Sequence, residues 1–355
     1  MNLLVTGIGG SASSNFIDSI RIANLDVNIA GVDNSSNMIS LSNLQEKYLI
    51  PSANDPGYIS KLNQIMAKLD SDVIHSQPDA EVKVISDHRD EITAKHFLPS
   101  KEAIDLAADK EEFTRVMRNA NVPVPKSSDG NNKSEVIDAC KQLFASFPKL
   151  WVRARRGAGS RASLPVSTEM QAINWIEWWI QEKGFNWNEF QISEFLPGEE
   201  YALQTVWQNG VLISAEARVR ISYLYGFLTP SGQSSTPSVA KTTSKPEVYT
   251  IGLSAIRALM KTPHGVFCVD MKTDIDSNIK VTEINAGRFF TTSNFFAHAG
   301  VNMPEMSLRA AQGEILKPVK IGSLGDDLYW IRMVDMGFKL VHRDEIEKYA
   351  KIRDI

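Results

Sequence analysis

The stretch VTEINAGRFF, Val281 to Phe290, decides how the rest of the chain is read. Glu283 and Asn285 stand among apolar Val281, Ile284 and Ala286. A strand that buries Ile284 places Glu283 and Asn285 together on its other face. Upstream, GVFCVD ends at Asp270, and the polar turn TDIDSN separates the two runs. An antiparallel hairpin then sets Asp270 beside Glu283, with the Asn285 oxygen on the same face. Two carboxylates and an amide are hard oxygen donors of the kind Mg²⁺ prefers. The alternative is a solvated strand face.

The 355 residues exceed what one simple core holds, so two or three packed lobes are expected. With 43% hydrophobic and 23% charged residues the composition is that of a globular protein, and a net charge of −4 calls for neither nucleic acid nor membrane. No apolar run approaches the roughly 18 residues of a membrane helix. The start, MNLLVTGIGG, has no basic region or cleavage site, so no signal peptide is expected. Cys140 and Cys268 lack metal-ligand spacing and read as reduced core thiols, hence a cytoplasmic location.

The first 100 residues alternate strand and helix, the pattern of a parallel sheet. Gly7, Gly9 and Ala12, with Asp33 further on, fit a dinucleotide fingerprint. The same glycines serve equally well to close a strand onto its helix. Asp109 is placed to cap a helix, with Glu112 completing a capping box. VPVP then forces extended chain at a domain crossing.

Beyond it, RARRGAGSR sets Arg153, Arg155, Arg156 and Arg161 around Gly157 and Gly159, with no acid in the loop. Glycine lets backbone N–H groups approach an anion and arginine forks match phosphate oxygens; a solvated basic turn is the alternative. MQAINWIEWWIQEKG is an amphipathic helix whose tryptophans read as core. ISEFLPGEEYALQ leaves a strand with backbone groups that can meet a purine edge, and Glu200 can accept from ribose hydroxyls. Asn209 and Gly210 signal a hairpin. FLTPSGQSSTPSVAKTTSKP reads as one long loop, and the tail as a strand and a final helix. Arg218 and Arg220 share a strand face suited to a carboxylate, or to a structural ion pair.

In order and spacing these pieces resemble the ATP-grasp superfamily, and most its carbamoyl phosphate synthetase and biotin carboxylase branch, as a single ATP-grasp unit. The resemblance covers about residues 1 to 315. It implies an α/β and α+β chain: a Rossmann-like domain over 1–100, then a two-lobed ATP-grasp domain over 101–315, with a small lobe at about 125–195 and a large lobe at about 196–315. Residues 316–355 form a C-terminal extension.

For ATP it implies Lys110, Arg153, Gly157, Gly159, Glu194, Phe195, Leu196 and Glu200; for Mg²⁺, with Mn²⁺ as a substitute, Asp270, Glu283 and Asn285. Arg288 and Arg218 are the candidate catalytic groups. EINAGR departs from the family E-[IM]-N-P-R, because Arg288 is displaced by one. The implied activity is an ATP-dependent ligase joining small-molecule carboxylate and amine (or other nucleophile) substrates, with a homodimer admitted. The rival readings are an NAD(P)-dependent oxidoreductase built on the glycine turn and a non-catalytic nucleotide-binding protein.

Overall fold

β-Rich runs separated by amphipathic segments predict parallel pairing near the N-terminus, and the computed structural model, which describes residues 1–156, 162–234, 236–334 and 336–344, has it. Strands β1 (Asn2–Thr6), β2 (Asn28–Asp33), β3 (Glu46–Leu49) and β4 (Val73–His75) form a parallel sheet in the order β3-β2-β1-β4. Helices α1 (Ser11–Ile22) and α2 (Tyr58–Leu69) make its crossovers, and α3 (Asp79–Asp87) follows β4.

The glycines of the turn are explained by close packing. A Cβ on Gly7 would lie 2.4 Å from the Pro78 ring, and one on Gly9 would lie 2.6 Å from Met38 Cβ. Asp33 accepts hydrogen bonds from the Gly9 and Ser35 amides, each at 2.8 Å. Both fingerprint glycines and the fingerprint acid therefore have structural work without any ligand.

Helices α4 (Lys101–Ala108) and α5 (Lys110–Asn119) lead across to the second unit. Asp109 caps α5 as its spacing predicts, accepting from the Glu111 and Glu112 amides. Strands β5 (Ser127–Asp129), β6 (Leu150–Ala154), β7 (Leu164–Val166) and β8 (Phe190–Glu194) form a small antiparallel sheet in the order β5-β8-β6-β7. Helices α6 (Lys133–Phe144) and α7 (Glu169–Lys183) cover it. Trp175, Trp178 and Trp179 pack against one another, and the Trp175 indole donates to the Ala162 carbonyl at 2.9 Å, but only Trp175 and Trp179 reach the core, and Trp178, read as core from sequence, is exposed.

The third sheet is antiparallel and, among the described residues, seven-stranded. It comprises β9 (Glu200–Gln208), β10 (Val211–Tyr223), β11 (Pro237–Thr243), β12 (Gly265–Thr273), β13 (Ile279–Ala286), β14 (Leu328–Met333) and β15 (Gly337–His342), in the order β13-β12-β9-β10-β11-β14-β15. Asn209 and Gly210, at φ 50° and 87°, make the β9–β10 turn that the Asn-Gly pair signals. Helix α8 (Pro246–Leu259) packs on one face of the sheet. On the other lie α1, α9 (Asn294–His298) and α10 (Met303–Ala311).

Two readings of the sequence need correction here. The stretch read as one long loop contains β11, an inner strand between β10 and β14. Its Ser, Thr and Lys residues hide the strand, but Val239, Thr242 and Thr243 are β-branched, and Thr242 Oγ1 accepts from the Leu328 amide at 3.2 Å. The tail adds two strands, β14 and β15, where one was expected. The final helix expected after them lies outside the described residues.

Glu81, in the first turn of α3, is 7% exposed, and its Oε2 has no hydrogen-bond partner among the described residues. Burial pushes its carboxyl up to about 7; nearby Asp33 adds to the shift and a hydrogen bond with Thr6 opposes it. From about pH 4.5 to 7 the folded protein keeps a proton that the unfolded chain has released. Stability falls as pH rises through that window, and the penalty is complete above it. Glu81→Gln should therefore gain about 1–3 kcal/mol at pH 8 and little at pH 4.5 in urea unfolding. An equal change at both pH values would contradict this account.

Candidate active site

The carboxylates of the decisive hairpin meet because β13 carries one extra residue. Asp270 on β12 pairs directly with Glu283 on β13, whereas the next residue, Met271, pairs with Val281. Thr282 is the unpaired bulge residue, and its hydroxyl donates to the Asp270 carbonyl at 3.0 Å. The bulge reverses the alternation. Ile279 and Val281 below it, and Ile284 and Ala286 above it, all enter one core. Glu283 and Asn285 face the opposite way, into a cavity of about 470 Å³.

That cavity gathers residues from all three sheets. Gln77 and Asp79 come from the end of the parallel sheet; Arg153 and Glu194 come from the small lobe; Glu200, Arg220, Asp270, Glu283 and Asn285 come from the large sheet. Lys110, Phe195, Leu196 and Arg288 also line it. Of the thirteen site residues expected from sequence, ten converge here. Gly157 and Gly159 lie outside the described residues, as does Arg161.

Arg218 is the exception. It is buried behind the wall, donates from Nη1 to the Thr292 carbonyl at 3.1 Å, and sits 5.1 to 5.9 Å from the rings of Phe290, Phe295 and Phe296. Burial, with Arg220 next to it, pulls its guanidinium down to about 9. The same strand face presents Arg220, not Arg218, to the cavity. Arg155 and Arg156 turn away as well, pairing with Asp109 and lining a separate hollow beside Lys183.

At one end of the cavity Glu194 is ion-paired with Lys280, which also reaches Asp274 at 3.2 Å. The Phe195 ring lies 6.1 Å from Trp151 and 5.1 Å from the Lys149 ammonium. Its amide already donates to the Lys149 carbonyl at 3.2 Å, so of the expected hinge groups this N–H is spent. Glu200 accepts from Arg220 Nη1 at 2.9 Å, from Gln233 Nε2 at 3.1 Å and from the Tyr223 hydroxyl.

In the middle, Arg153 donates from Nε and Nη2 to Gln191 Oε1 at 3.1 and 2.8 Å, and from Nη2 to the Thr282 carbonyl at 3.3 Å. Lys110 donates to the Arg155 carbonyl at 3.3 Å. Burial lowers the Lys110 pKa against the pull of Glu283. Burial also opposes charge on Glu283, but Lys110, Arg153 and Arg288 outweigh it and hold that carboxyl below its ordinary value. Asp270 goes the other way: burial pushes it up to about 6, against Arg220.

At the far end Arg288 pairs with Asp79 and donates to Asn285 Oδ1 at 2.5 Å. Gly287, at φ 88°, turns the chain back after β13. That turn brings Arg288 back to the asparagine three residues before it. Asp79, Gln77 and Lys280 escaped the sequence reading; nothing local to them carries a signal, since each acts through a partner remote in sequence.

The donor set fits a divalent cation. Asp270 Oδ1 is buried and without a hydrogen-bond partner among the described residues, although it is ion-paired with Arg220 Nη2 at 2.6 Å, while Oδ2 accepts from Asn285 Nδ2 at 3.0 Å. Among the described residues no group of three or more His, Cys, Asp or Glu could hold a metal. A site of two carboxylates and an amide suits Mg²⁺, which keeps waters and takes phosphate oxygens as its remaining ligands.

No family model and no curated protein matches the sequence. Solved structures do. Biotin carboxylase from Campylobacter jejuni, in a β,γ-ATP complex, superposes with a TM-score of 0.71 at 14% identity, over 92% of this chain and 74% of that one. N5-carboxyaminoimidazole synthetase from Staphylococcus aureus, complexed with ADP, gives 0.69 at 13% identity, over 94% and 82%. L-amino acid ligase from Bacillus licheniformis gives 0.69 at 12% identity, over 93% and 78%. At such identities the likeness speaks for the fold, and the chain has the ATP-grasp fold in the arrangement of biotin carboxylase.

Proposed function

We propose that this chain is an ATP- and Mg²⁺-dependent ligase that activates a carboxylate as an acyl phosphate for attack by an amine or another nucleophile. One observation carries the reading: the register pairs Asp270 with Glu283 inside a cavity that Lys110, Arg153, Glu194 and Glu200 also line. The ATP-grasp fold supports it, and so do the nucleotide complexes named for two of the similar structures.

On this reading Glu194, oriented by Lys280, accepts from the adenine amino group, and Phe195 and Leu196 flank the base. Glu200 accepts from the ribose hydroxyls. Lys110 and Arg153 offset the phosphate charge. Asp270, Glu283 and, after release from Arg288, the Asn285 oxygen would hold Mg²⁺, which neutralises charge on the phosphate oxygens when bound. Gln77, Asp79 and Arg288 form the end of the cavity where the carboxylate would enter.

A carboxylate oxygen attacks the γ-phosphorus, ADP leaves, and the nucleophile then attacks the acyl carbon and expels phosphate. Such transfer depends on positioning and electrostatics more than on covalent chemistry by the protein. A buried, highly charged cavity is the environment it needs.

Two outcomes test the reading. MgATP should raise the melting temperature, by a stabilisation of about 2.7 kcal/mol at a hundredfold excess over Kd, whereas NAD(P)H should not. Glu283→Gln should lower ATP-dependent ADP release about 100-fold or more across pools of carboxylates and amines. Undiminished turnover in that variant would remove the carboxylate pair from the mechanism. At the adenine end, Lys280→Met strands Glu194, which is 2% exposed, and should cost about 3–5 kcal/mol in urea unfolding. Adding Glu194→Gln should restore much of that loss.

A further inference from the structure

Arg220 stands directly across from Glu200 in the β9–β10 pairing, and its side chain is largely buried. Its Nη1 is 2.9 Å from Glu200 Oε1, and its Nη2 is 2.6 Å from Asp270 Oδ1. One guanidinium thus ties the proposed ribose acceptor to a proposed metal ligand. The second contact is an ion pair without a directed hydrogen bond: Asp270 Oδ1 and Arg220 Nε both lack a hydrogen-bond partner among the described residues. The Phe290 ring lies 5.1 Å from the guanidinium carbon, an aromatic face against which the cation rests.

A divalent ion on Asp270 Oδ1 and the guanidinium at 2.6 Å from the same oxygen would repel each other strongly in this buried setting. Each needs the position the other holds. We infer that Arg220 is a placeholder cation, which keeps free metal off the Asp270–Glu283 pair until a nucleotide engages Glu200 and loosens the guanidinium. Metal and nucleotide then enter as a unit, and neither ion nor ribose alone completes the site. The inference rests on the reading of this cavity as a Mg–ATP site.

Mn²⁺ serves as the probe, with the free ion counted by electron paramagnetic resonance in the presence and absence of ATP. The wild type should bind Mn²⁺ weakly alone and tightly with ATP. Arg220→Met, which keeps an unbranched apolar stem but removes the charge, should bind Mn²⁺ alone at least 10-fold more tightly than the wild type does. In that variant ATP should add correspondingly less. Should Arg220→Met fail to fold, Arg220→Gln answers the question, because it is polar but carries no cation to hold Asp270. Its nucleotide-free Mn²⁺ affinity should rise about threefold or more. Unchanged nucleotide-free affinity in a folded variant, beside a wild type that does bind Mn²⁺ with ATP, would overturn the placeholder role alone. A wild type that binds no Mn²⁺ even with ATP would overturn the reading of the cavity, and the placeholder with it.

Discussion

One extra residue in β13 decides which side of the large sheet carries charge. Without the bulge at Thr282, strict alternation would put Val281 and Glu283 on the same face. The chain would then have to bury a carboxylate in the core that holds Ile284 or expose Val281 to the cavity. With the bulge, four apolar side chains of β13 stay in one core and Glu283 stays opposite Asp270. The Thr282 hydroxyl bonded to the Asp270 carbonyl pins the irregularity in place. Packing and charge placement are thus set by the same register.

Gathering so many charges in one cavity is costly unless each finds an opposite. The wall shows how this is met. Lys280 answers Glu194, Arg220 answers Glu200 and Asp270, and Asp79 answers Arg288. Glu283 is held ionised by Lys110, Arg153 and Arg288 together. These partners come from different sheets and from the loops between them, so the electrostatic balance requires the lobes to meet where they do. On the proposed reading, a cavity arranged in this way is preorganised for an anionic ligand that carries its own cations.

Much of this was legible in the sequence, and the reasons are local. Asp270 and Glu283 sit thirteen residues apart across a polar turn, so their pairing follows from hairpin geometry. Asp109 announces its helix, and Asn209–Gly210 its turn. What escaped depended on context. Strand β11 is rich in Ser, Thr and Lys, and only its neighbours β10 and β14 make it an inner strand. Arg218 and Arg220 share a face, and nothing in their spacing says that aromatic residues far along the chain, Phe290, Phe295 and Phe296, enclose the first and leave the second at the cavity. Asp79 and Lys280 become site residues only through Arg288 and Glu194. The fingerprint at Gly7, Gly9 and Asp33 is ambiguous in sequence, and packing against Met38 and Pro78 accounts for its glycines.

Arg288 follows Asn285 by three residues. An extended chain between them would carry the guanidinium away from the cavity. Gly287 instead adopts a positive φ, and its amide donates to the Val266 carbonyl at 2.8 Å, so the chain folds back against β12. A side chain at that position would meet Leu98 and Val82 at 3.0 Å, which leaves glycine as the residue that fits both the conformation and the space. Arg288 then grips Asn285 on one side and Asp79 on the other, bridging the large sheet to the parallel sheet. The two ends of the cavity are therefore held differently: Glu194 and Lys280 by neighbouring strands of the two lobes, and Arg288 by a domain boundary. Relative movement of the parallel sheet would be felt first at Arg288 and Asn285. On the proposed reading those are the residues between the metal and the incoming carboxylate.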